Sequence, residues 1–502
     1  MELIQALPNI LDFRILIVLI LGVAVGISIG SLPGLTATMG VALILPMTFG
    51  MDPVVGILLL VGVYFGAIYG GSIAAILLNT PGTPSSAATA LDGYPLAKKG
   101  QALKALTVST ISSAIGGVLS VVILILIAPK LAQFALKFSA PESFALAIFG
   151  LSIISGIAGK YPIKGFIMGF LGLLIASIGM DPVGGFPRFN FGSTNLMGGV
   201  DFIVIMIGLF AASEAFQTIE DSFKSGEVLR IKDKAKLKWY EFKSLIVTIL
   251  RSTGIGTFIG MIPGAGGDIS CFVAYGEAKR FAKKDEKFGE GELKGVAASE
   301  AANNATTGGA MIPLLTLGIP GDAVTAVMLG ALMVQGLQPG PLLFAENATL
   351  VYTLFIGMIL ANLLILIIGL PAIRLFVKVL SIPKIYIAAI ILILCVVGSF
   401  ALGNNMFDVW VMLIAGLIGY FLKKHDYPPS PLILALILGP MMESNLRRSL
   451  VIADGDWTVF VTRPISAILI ALAFLTLFTP LFQKYISKRK YHLAEIDENK
   501  AT

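Results

Sequence analysis

Apolar runs long enough to cross a membrane recur along the chain from about residue 13 to residue 483. Of its 502 residues, 56% are hydrophobic and 13% are charged. Soluble domains carry about a quarter charged residues, and disordered chains need low hydrophobicity and high charge, so the composition excludes both classes. A spanning helix takes roughly 20 apolar residues, which leaves room for about 10–12 spans. We therefore expect an all-α polytopic membrane protein.

Residues that usually carry enzyme or metal chemistry are scarce. The two histidines, His425 and His492, lie in or near polar tails, and the sequence shows no zinc, haem or nucleotide motif. Cys271 and Cys395 sit in apolar stretches, which favours two buried thiols over a disulfide. We therefore expect neither an enzyme nor a bound cofactor. The net charge of +6 fits basic residues retained on the cytoplasmic side better than binding of nucleic acid.

Glycine and proline recur at matched positions in two parts of the chain. Residues 26–40 read GISIGSLPGLTATMG, and residues 256–270 read GTFIGMIPGAGGDIS, with the glycines and the Pro-Gly pair at the same spacing. A second Pro-Gly pair follows in each part, at Pro81-Gly82 and at Pro320-Gly321. Two breaks in the same order are a much stronger signal than one motif. They predict an internal duplication.

Basic residues indicate that the two copies have opposite orientations. In the first copy the basic residues follow the second Pro-Gly pair, at Lys98, Lys99 and Lys104. In the second copy they flank the first Pro-Gly pair, and those after it are Lys279, Arg280, Lys283, Lys284 and Lys287. Because basic loops stay in the cytoplasm, equivalent loops face opposite sides and the repeats are inverted. The predicted parts are a first half at 1–220, a basic cytoplasmic linker at 221–243, a second half at 244–490 and a cytoplasmic tail at 491–502.

The same charges predict the shape of the Pro-Gly units. Both flanks of Pro263-Gly264 are basic, so we expect this pair at the tip of a re-entrant hairpin that is entered from the cytoplasm. Pro33-Gly34 is then the tip of a hairpin entered from outside, with the N-terminus in the periplasm. Two short complete crossings in each unit are the alternative. Lys130 and Lys137 fall on the outer side in this scheme and fit it poorly.

Inverted repeats with broken helices are typical of the central site of a secondary transporter. A break leaves N–H groups unpaired at a helix N-terminus, which carries about half a positive charge and binds carboxylates. An ordinary polar turn or helix cap is the alternative for residues 79–86. The candidate substrate-binding residues are Gly34, Asn79, Thr80, Pro81, Gly82, Thr83, Ser85, Ser86, Gly264, Gly266, Asn303, Asn304, Pro320 and Gly321.

Acidic residues accompany the breaks of the second half. An ionised carboxylate deep in a bilayer costs about 3 kcal/mol or more unless it is solvated or paired, so such residues are functional candidates. Those for binding a coupling sodium ion or proton are Asp268, Glu300, Asp322 and Thr36. Helix capping is the alternative for Asp268, and capping or pairing is the alternative for Glu300 and Asp322. No other metal is expected.

Five motifs in order carry a resemblance to a known family. They are SLPGLT at 31–36, YGGSIAAILLNTPGTPSS at 69–86, IPGAGGD at 262–268, EAANNATTGGAMIPLLTLGIPG at 300–321 and GPMMESNLRR at 439–448. Together they resemble the large membrane subunit of tripartite tricarboxylate transporters over nearly the whole chain. The resemblance implies a bacterial inner-membrane permease that works with a small four-helix membrane subunit and a periplasmic solute-binding protein. It also implies organic carboxylate substrates and a sodium or proton gradient as the driving force.

We therefore expect a gradient-driven carboxylate importer with a cytoplasmic C-terminus. A stand-alone ion-coupled organic anion transporter and, with less support, a channel are the alternatives. The sequence leaves a homo-oligomer open. It also places Glu443 four residues before Arg447, a spacing typical of an ion pair on a helix surface. Anchoring of a neighbouring subunit is the alternative for this pair.

Overall fold

The computed structural model describes residues 2–152, 154, 161–181, 184–221, 237–379 and 384–477. Most of the predicted linker, residues 222–236, and the predicted tail at 491–502 lie outside the described residues. The only strands in the described ranges, Gly179–Met180 and Pro187–Arg188, pair antiparallel. The α-helices are Glu2–Ile10, Phe13–Ser31, Ala37–Ile44, Pro53–Leu78, Ala87–Lys98, Ala102–Ala135, Ala140–Ser152, Pro162–Ala176, Phe202–Met206, Ser213–Asp221, Trp239–Met261, Gly266–Arg280, Leu293–Leu317, Ala323–Val334, Pro341–Glu346, Ala348–Val379, Lys384–Gly403, Met406–Lys424, Ser430–Ile452, Val459–Thr462 and Pro464–Leu477.

Shorter helical turns complete these elements. Tight 3₁₀ turns occupy Leu45–Thr48, Pro84–Ser86 and Thr194–Leu196, and a π-helical turn at Ile207–Ala212 joins two α-helices into one rod. Within the described ranges, eight helices are long and apolar enough to cross a membrane, and five more apolar helices are shorter. The predicted fold class, an all-α polytopic membrane protein, is confirmed.

The order of elements repeats along the chain. Each copy has a helix, a Pro-Gly turn, a shorter helix, a long helix, a break, a further helix and a second long helix. In the first copy these run from Phe13–Ser31 to Ala102–Ala135, and in the second from Trp239–Met261 to Ala348–Val379. This order supports the predicted duplication. The opposite orientation of the two copies in a membrane stays a prediction.

Glycines hold the first helix of each copy against the backbone of the long helix. A Cβ atom on Gly26 would lie 2.4 Å from the carbonyl oxygen of Val63. In the second copy, a Cβ on Gly256 would lie 2.2 Å from the carbonyl oxygen of Ala302. Such separations leave no room for any side chain, so the two backbones touch directly. Contact between small residues is the usual way in which helices associate in lipid.

The same tight contact brings each break against the Pro-Gly turn of its own copy. A Cβ on Gly82 would lie 2.0 Å from the carbonyl oxygen of Gly30, and a Cβ on Gly321 would lie 2.9 Å from that of Gly260. In the second copy, the Gly264 N–H also donates a hydrogen bond of 2.7 Å to the Gly321 carbonyl. The two interruptions of each copy are therefore neighbours in space.

The chain forms two compact units. The first contains residues 1–137 and 201–421, and the second contains residues 138–200 and 422–502, as far as these are described. Elements of both copies fall in the first unit. The predicted repeat boundary at 221–243 therefore does not separate the compact units.

Four charged residues form a ring within the second unit. Arg447 donates hydrogen bonds to Glu443 at 2.8 Å, as its spacing predicted, and to Asp181 at 2.9 Å. Arg188 binds Glu443 through two hydrogen bonds of 2.7 and 3.1 Å. The ring fastens the short strand pair at Gly179–Arg188 to the helix Ser430–Ile452. The Glu443–Arg447 pair thus has partners within its own chain.

In the first unit, one buried carboxylate fastens a loop of the second copy to a helix of the first. Asp92 is fully buried. Its Oδ1 accepts hydrogen bonds of 2.8 Å from the backbone N–H groups of Gly289, Gly291 and Glu292, and its Oδ2 accepts one of 2.9 Å from the Tyr275 hydroxyl. Four donors on one carboxylate offset the cost of its burial. Asp92 therefore ties the loop before Leu293–Leu317 to the helix Ala87–Lys98.

We predict that Asp92→Ala lowers the free energy of unfolding by about 2–4 kcal/mol, because buried backbone donors lose their acceptor. Cys271 and Cys395 are both buried, so reaction with a thiol-specific fluorescent dye on heating reports unfolding. Asp285→Ala is the matched control, since Asp285 is an exposed aspartate of the same loop. Equal unfolding temperatures for the two variants would contradict the role given to Asp92.

Candidate functional site

The first break begins with a left-handed residue. The helix Pro53–Leu78 ends at Asn79, whose φ is +55°, in the position that glycine or asparagine commonly takes after a helix. The side chains of Asn79 and Thr80 are exposed. The Thr80 hydroxyl bonds only locally, to the Leu78 carbonyl at 3.4 Å. Asn79 thus serves the backbone of the break, and its predicted contact with substrate stays a prediction.

The helix after the first break starts with a cluster of hydroxyl groups. The 3₁₀ turn Pro84–Ser86 leads directly into the helix Ala87–Lys98. Thr83 is its N-cap, and the Ser86 hydroxyl donates to the Thr83 carbonyl at 2.8 Å. The hydroxyls of Thr83 and Ser85 lie 3.2 Å apart. All three side chains are buried, so this helix start presents polar groups inside the first unit.

The second Pro-Gly turn leads into another helix start. Gly264 and Gly266 have positive φ angles of +82° and +60°, which turn the chain into the helix Gly266–Arg280. Asp268 lies in the first turn of this helix, but the cap position belongs to Ala265. The Asp268 side chain is exposed and makes no hydrogen bond or ion pair within the described part of the chain. Capping therefore does not explain it.

These two helix starts converge on one asparagine. A Cβ on Gly267 would lie 2.9 Å from the Ser85 Cβ and 2.9 Å from the Asn303 Oδ1. Asn303 comes from the long helix Leu293–Leu317 and is fully buried, yet neither its Oδ1 nor its Nδ2 has a hydrogen-bond partner. An unpaired buried amide costs about 1–3 kcal/mol. We call Ser85, Gly267 and Asn303 the central site.

Neighbours of Asn303 on the same helix are polar and buried as well. The Asn304 Nδ2 reaches the Glu300 carbonyl at 3.4 Å, while its Oδ1 is unpartnered. The Thr306 hydroxyl lies 2.6 Å from that of Ser270, on the helix Gly266–Arg280. The polar face predicted from the spacing of Glu300, Asn303 and Asn304 therefore points into the first unit.

The equivalent arrangement, in which the first copy supplies the long helix and the second copy the helix start, is already filled by protein groups. Tyr64 lies six residues before Gly70, and Asn303 lies six residues before Gly309, so the two occupy matching positions. The Tyr64 hydroxyl donates a hydrogen bond of 2.9 Å to Asp322. Asp322 caps the helix Ala323–Val334 by accepting the Thr325 N–H at 2.8 Å.

The residue that matches Asp322 in the first copy is uncharged. Asp322 follows Pro320-Gly321 directly, and Thr83 follows Pro81-Gly82 in the same way. An internal carboxylate thus occupies one of the two equivalent helix starts. The other start, at Pro84–Ser86, has an uncharged threonine at its N-cap position and lies near an amide without partners.

Glu300 lies one helical turn before Asn303 and is fully buried. Its carboxylate accepts hydrogen bonds from the hydroxyls of Thr89 and Ser113. Thr89 belongs to the helix that follows the first break, and Ser113 belongs to the helix Ala102–Ala135. Glu300 therefore joins three helices from both copies.

Three carboxyl groups of the first unit lack a basic partner among the described residues. Asp268, Glu300 and Asp322 form no ion pair within the described part of the chain. Gly266 brings the second Pro-Gly turn against Asp322, since a Cβ on Gly266 would lie 3.8 Å from the Asp322 Cβ. The arrangement suits an anion at the helix starts together with cations at the carboxylates.

Gly34 and Thr36 lie at the first Pro-Gly turn. Gly34 has a φ of +97°, and the side-chain atom nearest to its would-be Cβ is Oε1 of Glu214, at 3.6 Å. Thr36 caps the helix Ala37–Ile44 by accepting the Met39 N–H at 3.2 Å. The roles predicted for Gly34 in substrate binding and for Thr36 in cation coupling stay predictions.

Some residues around the site were not among the sequence candidates. Tyr64, Ser113 and Glu214 lie in apolar helices far along the chain from their partners, so spacing alone could not link them to the breaks. Tyr64 alone had a usable signal, its match to Asn303 in the duplicated pattern. Glu214 follows the π-helical turn at Ile207–Ala212, an element that is frequent at functional sites.

The chain is similar to known proteins over most of its length. The model of a family described as "Tripartite tricarboxylate transporter TctA family" matches residues 16–434. An Agrobacterium vitis protein described as "Uncharacterized 52.8 kDa protein in TAR-I ttuC' 3'region" is 39% identical over 479 residues, which cover 95% of each chain. A second protein of that organism, "Uncharacterized protein in TAR-II ttuC' 3'region", is 39% identical over 242 residues, covering 48% of this chain and 100% of its own. No solved structure gives a significant match.

Proposed function

Since the chain belongs to the tripartite tricarboxylate transporter TctA family, we propose that it is the permease of a binding-protein-dependent uptake system for organic carboxylates. The chain is the large membrane component of such a transporter. A periplasmic solute-binding protein delivers the substrate, and a small four-helix membrane subunit completes the complex. A sodium or proton gradient across the bacterial inner membrane drives uptake. The N-terminus is periplasmic and the C-terminus is cytoplasmic.

The observation that carries this proposal is the central site. Two helix N-termini lie beside one buried asparagine whose amide has no partner. Each N-terminus carries about half a positive charge, and its free N–H groups are donors for an anion. A substrate carboxylate accepts hydrogen bonds from these groups and from the Asn303 Nδ2. It is thereby held without a buried lysine or arginine.

The charges around the site supply the reason for ion coupling. A carboxylate that enters this centre meets Asp268, Glu300 and Asp322. Two like charges about 4 Å apart repel each other by about 4 kcal/mol at an effective dielectric constant near 20. Bound cations remove this repulsion, so substrate and cation bind together more readily than either does alone. Such mutual dependence is what couples a solute to a gradient.

We predict that vesicles containing the chain and the small subunit accumulate an organic carboxylate only when the binding protein and an inward sodium or proton gradient are both present. Radiolabelled citrate is a suitable first substrate, with its concentration inside and outside measured over time. Accumulation above the outside concentration must disappear when ionophores collapse the gradient.

Other outcomes identify the rival functions. Gradient-driven accumulation without the binding protein would show a stand-alone transporter. Equilibration that never exceeds the outside concentration would show a channel.

We predict that Gly267→Ala lowers carboxylate uptake by about tenfold or more, equivalent to about 1.4 kcal/mol, because the new methyl group displaces Asn303 or Ser85. Gly276→Ala is the matched control, since it lies on the same helix and has open space around its would-be Cβ. Initial uptake rates in vesicles with equal amounts of protein are the measurement. An equal loss of uptake in both variants would show that the central site does not take part in transport.

A further inference from the structure

Glu300 lies in a shell of hydroxyl groups and has no counter-charge. Its Oε1 accepts the Thr89 hydroxyl, its Oε2 accepts the Ser113 hydroxyl at 2.9 Å, and the Ser109 hydroxyl lies close enough to interact with it. All of these side chains are fully buried. The described residues offer Glu300 no lysine, arginine or histidine partner.

More oxygen atoms surround the hydroxyl groups around Glu300. The Ser109 hydroxyl lies 2.7 Å from that of Ser72, and the Tyr69 hydroxyl lies 2.7 Å from that of Thr110. The Ser112 hydroxyl is buried and has no partner in the described structure. Hydroxyl oxygens both donate and accept. They therefore serve equally well as ligands of a cation and as partners of a protonated carboxyl.

The other titratable groups facing Glu300 leave its charge uncompensated. Tyr69 and Cys271 lie close enough to interact with it electrostatically, and neither can supply a positive charge. Asp92, one turn beyond Thr89, is held by its own four donors. A bare carboxylate is unfavourable in such surroundings, so Glu300 needs a neutralising partner.

The remaining carboxylates of the centre are placed differently. Asp322 already accepts the Thr325 N–H and the Tyr64 hydroxyl as a helix cap. Asp268 is exposed and has no hydrogen-bonded shell. Of the three, Glu300 alone combines complete burial with a set of oxygen ligands.

We propose that Glu300, with the hydroxyls of Thr89, Ser109 and Ser113, binds the coupling cation, a monovalent ion that is either sodium or a proton. The assignment rests on the proposed function. Glu300 and Asn303 are one turn apart on their helix, and Thr89 and Ser85 are one turn apart on theirs. The cation and the anion thus occupy neighbouring positions between the same two helices. A cation at Glu300 and Thr89 sets the distance between those helices at the central site.

A thermal unfolding experiment tests cation binding apart from transport. The full chain in detergent is heated in sodium chloride, in potassium chloride of equal concentration, and in sodium-free buffer over a range of pH. A ligand that binds only the native state raises the unfolding temperature. Stabilisation by sodium over potassium identifies sodium, and stabilisation by acid without sodium identifies the proton. In Glu300→Gln the stabilisation is expected to be lost.

One control variant completes this experiment. Glu241→Gln changes a carboxylate whose ion pair with Lys104 lies at a helix end, and it should retain the stabilisation. The proposal would be overturned if the cation stabilised Glu300→Gln as much as it stabilises the wild type. A wild-type chain that responds to neither cation would also overturn it.

A second pair of variants tests the hydroxyl shell without changing any charge. Thr89→Val removes one ligand, and we expect the sodium or proton concentration for half-maximal uptake to rise by about tenfold. Thr316→Val is the matched control, because this buried threonine donates only to the Ile312 carbonyl of its own helix. Equal cation dependence in these two variants would overturn the shell assignment.

Transport by Glu300→Gln distinguishes failure of the proposed cation site from failure of the proposed function. We expect it to exchange labelled for unlabelled carboxylate while losing accumulation driven by the gradient. Full accumulation with unchanged cation dependence would overturn the cation site and leave the proposed function intact. If the wild-type complex carries no organic carboxylate but is still stabilised by the cation, the proposed function fails while the cation site remains.

Discussion

The need to satisfy every backbone group inside a membrane governs the first unit. Hydrocarbon offers no hydrogen bonds, so a broken helix survives only where protein or an enclosed polar space supplies partners. In the second copy the two interruptions supply one such partner to each other, through the hydrogen bond from the Gly264 N–H to the Gly321 carbonyl. Glycine is required there because any side chain would separate the two segments. The N–H groups that remain free are the ones available to a ligand.

The two copies use this shared framework unequally. At one helix start, Asp322 of the second copy is closed off by a hydrogen bond from Tyr64 of the first copy. At the other, Thr83 of the first copy and Asn303 of the second take the matching positions, and the amide is left unpaired. The internal carboxylate of the first case shows what such a helix start accepts. A duplicated chain with identical halves would either close both positions or leave both open, so the sequence differences between the copies create a single central site.

Much of the fold could be predicted because its signals are local. Apolar length indicates the helices, and paired Pro-Gly motifs indicate the breaks and the duplication. The site was only partly predictable, because contacts such as Thr89–Glu300 join helices more than two hundred residues apart in sequence. Residue type also leaves some roles open. The amide of Asn79 suggested a ligand, but the residue ends a helix in the left-handed conformation. Its backbone requirement cannot be separated from a binding role by residue type alone.

The glycine contacts have a mechanical consequence. Gly26 and Gly30 fit against the carbonyls of Val63 and Ala67, and Gly256 and Gly260 fit against those of Ala302 and Thr306. Sliding either pair of helices by one residue would bring a side chain to a point where only hydrogen fits. Each helix pair is therefore expected to behave as one rigid unit. The turns, the breaks and the short helices that follow them lie outside these contacts, so we expect any opening of the central site to occur there.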